Sequence, residues 1–76
     1  MTSNQARRVN ALLTDAMHHP RRPITTGRVM RLYARLGIAP KRATARGDLK
    51  ALARCGVLTE HGPHNQRRYA LHAFYH

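Results

Sequence analysis

Residues 36–61 read LGIAPKRATARGDLKALARCGVLTEH, and their order decides the fold. Leu36 ends one amphipathic stretch, and Gly37 follows it as a left-handed stop. Ile38 to Lys41 form a turn in which Pro40 holds Ala39 extended. A second amphipathic segment then runs to Cys55, starting either at a Thr44 cap or with Pro40 in its first turn. Its apolar side is Ala45, Leu49, Leu52 and Ala53. At about 100° per residue, Thr44, Gly47, Ala51 and Arg54 point the other way, with Ala43 and Lys50 beside them. Gly56 stops this helix, and Val57 and Leu58 lead into a strand ending at His61.

Working outward, Gly62-Pro63-His64-Asn65 is turn chemistry. Arg67 to Leu71 is the return strand of a hairpin, with Tyr69 and Leu71 on one face. Upstream, Val29, Leu32, Tyr33 and Leu36 make the stripe of a helix that starts after a Thr26 cap. Ile24 and Thr25 are expected to form a very short strand before it. A first helix is predicted over Ser3 to Met17. Thr2 and Gln5 have capping-box spacing there, and Ala6, Val9, Leu13 and Ala16 form the stripe, with Leu12 and Met17 beside it. His18, His19, Pro20 and Pro23 end it. The expected fold is α+β: three helices, a C-terminal β-hairpin and a short strand before the second helix. Residues 1–76 form one domain, with a core over about 5–71 and a tail at 72–76.

Charge narrows the function. The 76 residues hold 14 Lys and Arg against three acids, a net charge of +11. Such an excess opposes compaction and favours a polyanionic partner. Twelve of the 14 are Arg, whose planar fork suits phosphates and guanine edges. Asp15, Asp48 and Glu60 fall in three separate elements, so no paired acids or nucleophile–base set suggests an enzyme. A lone Cys55, expected to be partly buried, permits no internal disulfide. Six histidines without a second cysteine make a closed metal site hard to build, and no cofactor or small-molecule effector is implied. No apolar run approaches the ~20 residues of a membrane span. The polar N-terminus lacks a signal peptide's apolar region, and a cytoplasmic, nucleoid-associated protein is expected.

The run Thr44-Ala45-Arg46-Gly47-Asp48-Leu49, then Leu52, Gly56, Val57 and Leu58, resembles bacterial winged helix-turn-helix repressors. The deoxyribonucleoside-repressor type carries the motif T-x-R-R-D-L-x-x-L-x-x-x-G-x-L. The run is also similar to small basic winged-helix proteins of actinobacteria and their mobile elements. The resemblance spans about residues 24–71. Two features depart from the repressor pattern: the turn from Gly37 to Thr44 is longer, and Gly47 stands where the motif has its second arginine. The effector domain of those repressors has no counterpart here. The resemblance implies sequence-specific binding of double-stranded DNA in transcription regulation, with the third helix in the major groove and the hairpin as a wing.

On this reading Lys41, Arg42, Thr44, Arg46 and Lys50 contact bases and phosphates. Thr26 and Arg28, at a helix N-terminus, hold a phosphate. Arg67 and Arg68 carry the wing to the backbone or minor groove. Asp48 is expected to pair locally with an Arg or a backbone N–H. A homodimer on an inverted repeat is expected, with Leu12, Met17, Phe74 and Tyr75 as its interface. The same residues also fit a solvated charged face on a protein-interaction module, such as an antirepressor or polymerase adaptor. A nucleoid-type or RNA-binding protein is a further alternative.

Overall fold

The computed structural model describes residues 2–38 and 41–72. Among these, α1 is Ser3–His18, α2 is Thr26–Arg35 and α3 is Arg42–Arg54. Strand β1, Leu58–His61, joins β2, Arg68–Leu71, through a 3-10 turn at His64–Gln66. The strands are antiparallel, pairing Leu58 with Leu71 and Glu60 with Tyr69. The fold is thus α+β, three helices followed by a hairpin. The expected strand before α2 does not form. Only Ile24 pairs, in an isolated bridge to Tyr69 closed by two 2.8 Å backbone hydrogen bonds. Thr25 is occupied otherwise, as the cap of α2, which leaves no second residue to extend the pairing.

The core draws on every element: Val9, Leu12 and Ala16 of α1, Val29, Leu32 and Tyr33 of α2, and Ala45, Leu49 and Leu52 of α3. Ile24, Val57, Leu58, Tyr69 and Leu71 complete it. Tyr69 and Leu71 share the buried face, as strand alternation predicts. In α1 the stripe is rotated from the expected one. Leu12 is its centre at 2% exposure, Leu13 is half-buried and Ala6 is exposed. A 3.6-residue period allows either leucine between Val9 and Ala16, and only packing chooses.

The helix ends follow local rules. Thr2 Oγ1 accepts from the Gln5 amide at 3.1 Å. The Gln5 side chain does not complete the capping box, because it donates to Asp48 instead. Thr25, not Thr26, caps α2 by accepting from the Arg28 amide. Helix α3 starts earlier than a Thr44 cap would allow, with Lys41 at its N-cap and no side-chain cap. Helices α2 and α3 end alike. Gly37 and Gly56 take φ of +74° and +78°, and Ile38 and Val57 donate back to Tyr33 and Leu52 carbonyls. This is the Schellman pattern, which turns the chain sharply and packs the residue after the glycine onto the helix. Ile38 therefore reaches the core, while Leu36 is 53% exposed rather than the last residue of the buried stripe.

Candidate nucleic-acid interface

Burial of Ala45, Leu49 and Leu52 turns the opposite side of α3 outward. Arg42, Arg46, Lys50 and Arg54 recur every fourth residue, winding from the flank of the buried stripe to the outward side, and are all exposed. At 1.5 Å rise per residue they form a cationic ridge about 18 Å long. Beside it, Ala43, Gly47 and Ala51 keep the helix surface slim. Facing the ridge, the hairpin sets Arg67 and Arg68 on its return side.

The elements enclose a cleft of about 810 Å³. Its walls are Arg42, Arg46 and Lys50 from α3, and Asn65, Gln66, Arg67 and Arg68 from the hairpin. Thr25, Thr26 and Gly27, at the start of α2, and Tyr69 close it. Five cations and no carboxylate line this space. A smaller cleft of about 480 Å³ continues along α3 to Arg54, and there Glu60 joins Lys50 and Arg67.

The acids explain the imbalance, because each is paired with an arginine of the chain. Asp48 is 1% exposed. It accepts from Arg8 Nε at 2.7 Å, Arg8 Nη2 at 3.1 Å, Tyr33 Oη at 2.7 Å and Gln5 Nε2 at 3.2 Å. Burial alone would raise its pKa, but the bonds from Arg8, Tyr33 and Gln5 and the charge of Arg8 together hold the carboxyl below its usual range. Burial, then the bond to Asp48 and its charge, push the Tyr33 phenol far up. The bond to Asp48 raises Arg8 despite some desolvation. Asp15 pairs with Arg28 at 3.1 Å and lies 4.0 Å from Arg35. Glu60 pairs with Arg67 at 2.9 Å.

The expected contact residues divide accordingly. Thr26, Arg42, Arg46, Lys50, Arg67 and Arg68 come together around the large cleft. Lys41 is exposed at the N-cap of α3 but does not line it, and Thr44 is half-buried outside it. Arg28 is a correction. Its guanidinium donates to the Asp15 carboxylate, the Asp15 carbonyl, and the Arg22 and Pro23 carbonyls. With a side chain only 11% exposed, it staples α1 to the loop before α2 and is not presented to a ligand.

Asp48 is a second correction, since its partners lie on α1 and α2 rather than locally. Leu12 is a third: it is core and cannot form an interface. Met17, at 54% exposure, can. Phe74 and Tyr75 lie outside the described residues. Cys55 is exposed, not partly buried. Arg54 was missing from the expected contact set, although its spacing four residues after Lys50 was a usable signal. The tip residues Asn65 and Gln66 gave none, because only the tertiary fold brings them to the cleft.

Among the described residues, no group of three His, Cys, Asp or Glu side chains could hold a metal ion. No described helix is long and apolar enough to cross a membrane. No family model, curated protein or solved structure matches this chain.

Proposed function

We propose that this chain binds double-stranded DNA as a winged helix-turn-helix protein and acts in transcription regulation. Helix α3 enters the major groove, and the hairpin lies on the flanking backbone or minor groove. The observation that carries this reading is the large cleft, with five cations and no acid between α3 and the hairpin. An α-helix with side chains is about 10–12 Å across, which suits a major groove about 12 Å wide. Arg46, midway along the ridge, reaches base edges, and Lys50 lies where the ridge meets the smaller cleft. Arg42, Arg68 and the Thr26 hydroxyl bind phosphates. The aromatic residues favour a duplex over a single strand, since Tyr33 and Tyr69 are buried and offer no stacking platform among the described residues.

Fluorescence anisotropy with a duplex of about two helical turns tests the reading. If about 4–6 phosphates are neutralised per protomer, the slope of log K against log salt is about −4 to −5. Arg46→Ala and Lys50→Ala weaken binding. A slope near zero, or no binding at low salt, overturns the proposal. Assembly as a homodimer on an inverted repeat belongs to the same proposal, with Met17 as its exposed apolar contact. Sedimentation with DNA carrying two half-sites tests it, and one protomer per such DNA at tens of micromolar refutes it.

A further inference from the structure

The smaller cleft holds an imbalance that the fold does not resolve. Glu60 pairs across the ladder with Tyr69, two residues from the Leu58–Leu71 pair. Leu58, Tyr69 and Leu71 are buried, so strand alternation puts Glu60 on the side of the hairpin that faces α3. Three cations line the same cleft: Lys50 and Arg54 from α3, and Arg67 from the hairpin. Only Arg67 is bonded to Glu60, through Nη1 at 2.9 Å. The Arg67 Nε is shielded from solvent and meets no hydrogen-bond acceptor within bonding geometry among the described residues, although the guanidinium also lies beside the Tyr69 phenol. Lys50 and Arg54 form no ion pair with any described residue.

One carboxylate thus shares a cleft with three cations, on a surface continuous with the large cleft through Lys50 and Arg67. A backbone phosphodiester carries the same single charge as Glu60 and offers two free oxygens to a guanidinium fork. We infer that the Lys50–Arg54–Arg67 cleft is a subsite for a DNA backbone phosphate, and that Glu60 occupies its place in the free chain. Duplex binding exchanges Glu60 for the phosphate on Arg67, so the Glu60–Arg67 pair exists only in the unbound protein. The exchange rests on the DNA-binding reading. It keeps Arg67 neutralised until a polyanion reaches it, which limits self-repulsion in a chain of charge +11.

A double-mutant cycle on duplex affinity isolates the pair, using wild type, Glu60→Gln, Arg67→Gln and the double variant. An exposed ion pair lost on binding makes Arg67→Gln about 2- to 5-fold more costly in the Glu60→Gln background than in wild type. Arg54→Gln also weakens binding and flattens the salt slope. Thermal melts establish that each variant is folded, and Glu60→Ala replaces Glu60→Gln if that variant is not. Equal costs in the two backgrounds mean that the pair persists on DNA, and a larger cost in wild type means that Glu60 assists Arg67. Either result overturns the exchange. If the wild type binds duplex with a steep salt slope and Arg46→Ala weakens it, such a failure is confined to this inference. If the wild type shows no salt-dependent binding, the DNA reading and the exchange fall together.

Discussion

Replacing Asp48 with Ala tests whether one buried carboxylate locks the three helices together. The side chain sits on α3, yet its partners are Arg8 and Gln5 on α1 and Tyr33 on α2. Removing one member of a buried ion pair costs about 3–5 kcal/mol when the other charge is stranded. Here the Arg8 side chain is 21% exposed and can turn to water, which lowers that figure. Tyr33 has no such escape at 0% exposure, and an unpaired buried hydroxyl costs about 1–3 kcal/mol. The combined expectation is a loss of about 3 kcal/mol.

Stabilities of about 0.05–0.15 kcal/mol per residue give a chain of this size about 4–11 kcal/mol, so the loss is a large share. It corresponds to a fall in Tm of about 12–24 °C. Urea unfolding at pH 7, followed by circular dichroism, measures it. A loss below about 1 kcal/mol, the size of an exposed ion pair, refutes the reasoning. The same carboxylate fixes an acid limb. Its folded pKa is depressed, so its stabilisation is complete above the unfolded value near about 3.9 and disappears as pH falls through the lower folded value. Asp48→Ala therefore flattens the loss of stability on acidification.

Two glycines give effects of opposite sign from equally open surroundings. A Cβ at Gly47 or at Gly56 meets nothing within 4 Å. Gly47 lies inside α3 without a positive φ, so Gly47→Ala stabilises by about 1 kcal/mol. Gly56 has φ +78°, so Gly56→Ala destabilises by about 1–2 kcal/mol. Thermal unfolding of both variants checks this, and equal signs contradict it. Arg28→Ala is expected to reduce stability by about 1–2 kcal/mol through its lost charged hydrogen bonds. It should leave the salt slope of duplex binding unchanged, and a slope shallower by about 0.9 would restore Arg28 as a phosphate contact.

Local chemistry alone determined the succession of elements here. Gly37 and Gly56 stop helices because a backbone without a Cβ tolerates a positive φ at little cost. Ala45, Leu49 and Leu52 repeat at helical spacing, and Tyr69 and Leu71 alternate as a strand requires. Each signal acts within a few residues, so it survives in the sequence. The outward side of α3 follows by subtraction, which made Arg42, Arg46 and Lys50 legible as surface cations.

What the tertiary structure decided is how charges pair over long separations. Arg28 and Arg46 are indistinguishable as letters. One is consumed by Asp15 and two loop carbonyls, and the other lines the cleft with no ion pair among the described residues. Asp48 finds Arg8 forty residues away, a distance over which no spacing rule operates. Packing also chose Leu12 over Leu13 for the core and drew Thr25 rather than Thr26 into the α2 cap. The balance of charge at the cleft follows from these pairings. A short carboxylate is neutralised by whichever cation the fold brings within about 3 Å, and that depends on the crossing of helices rather than on the order of residues.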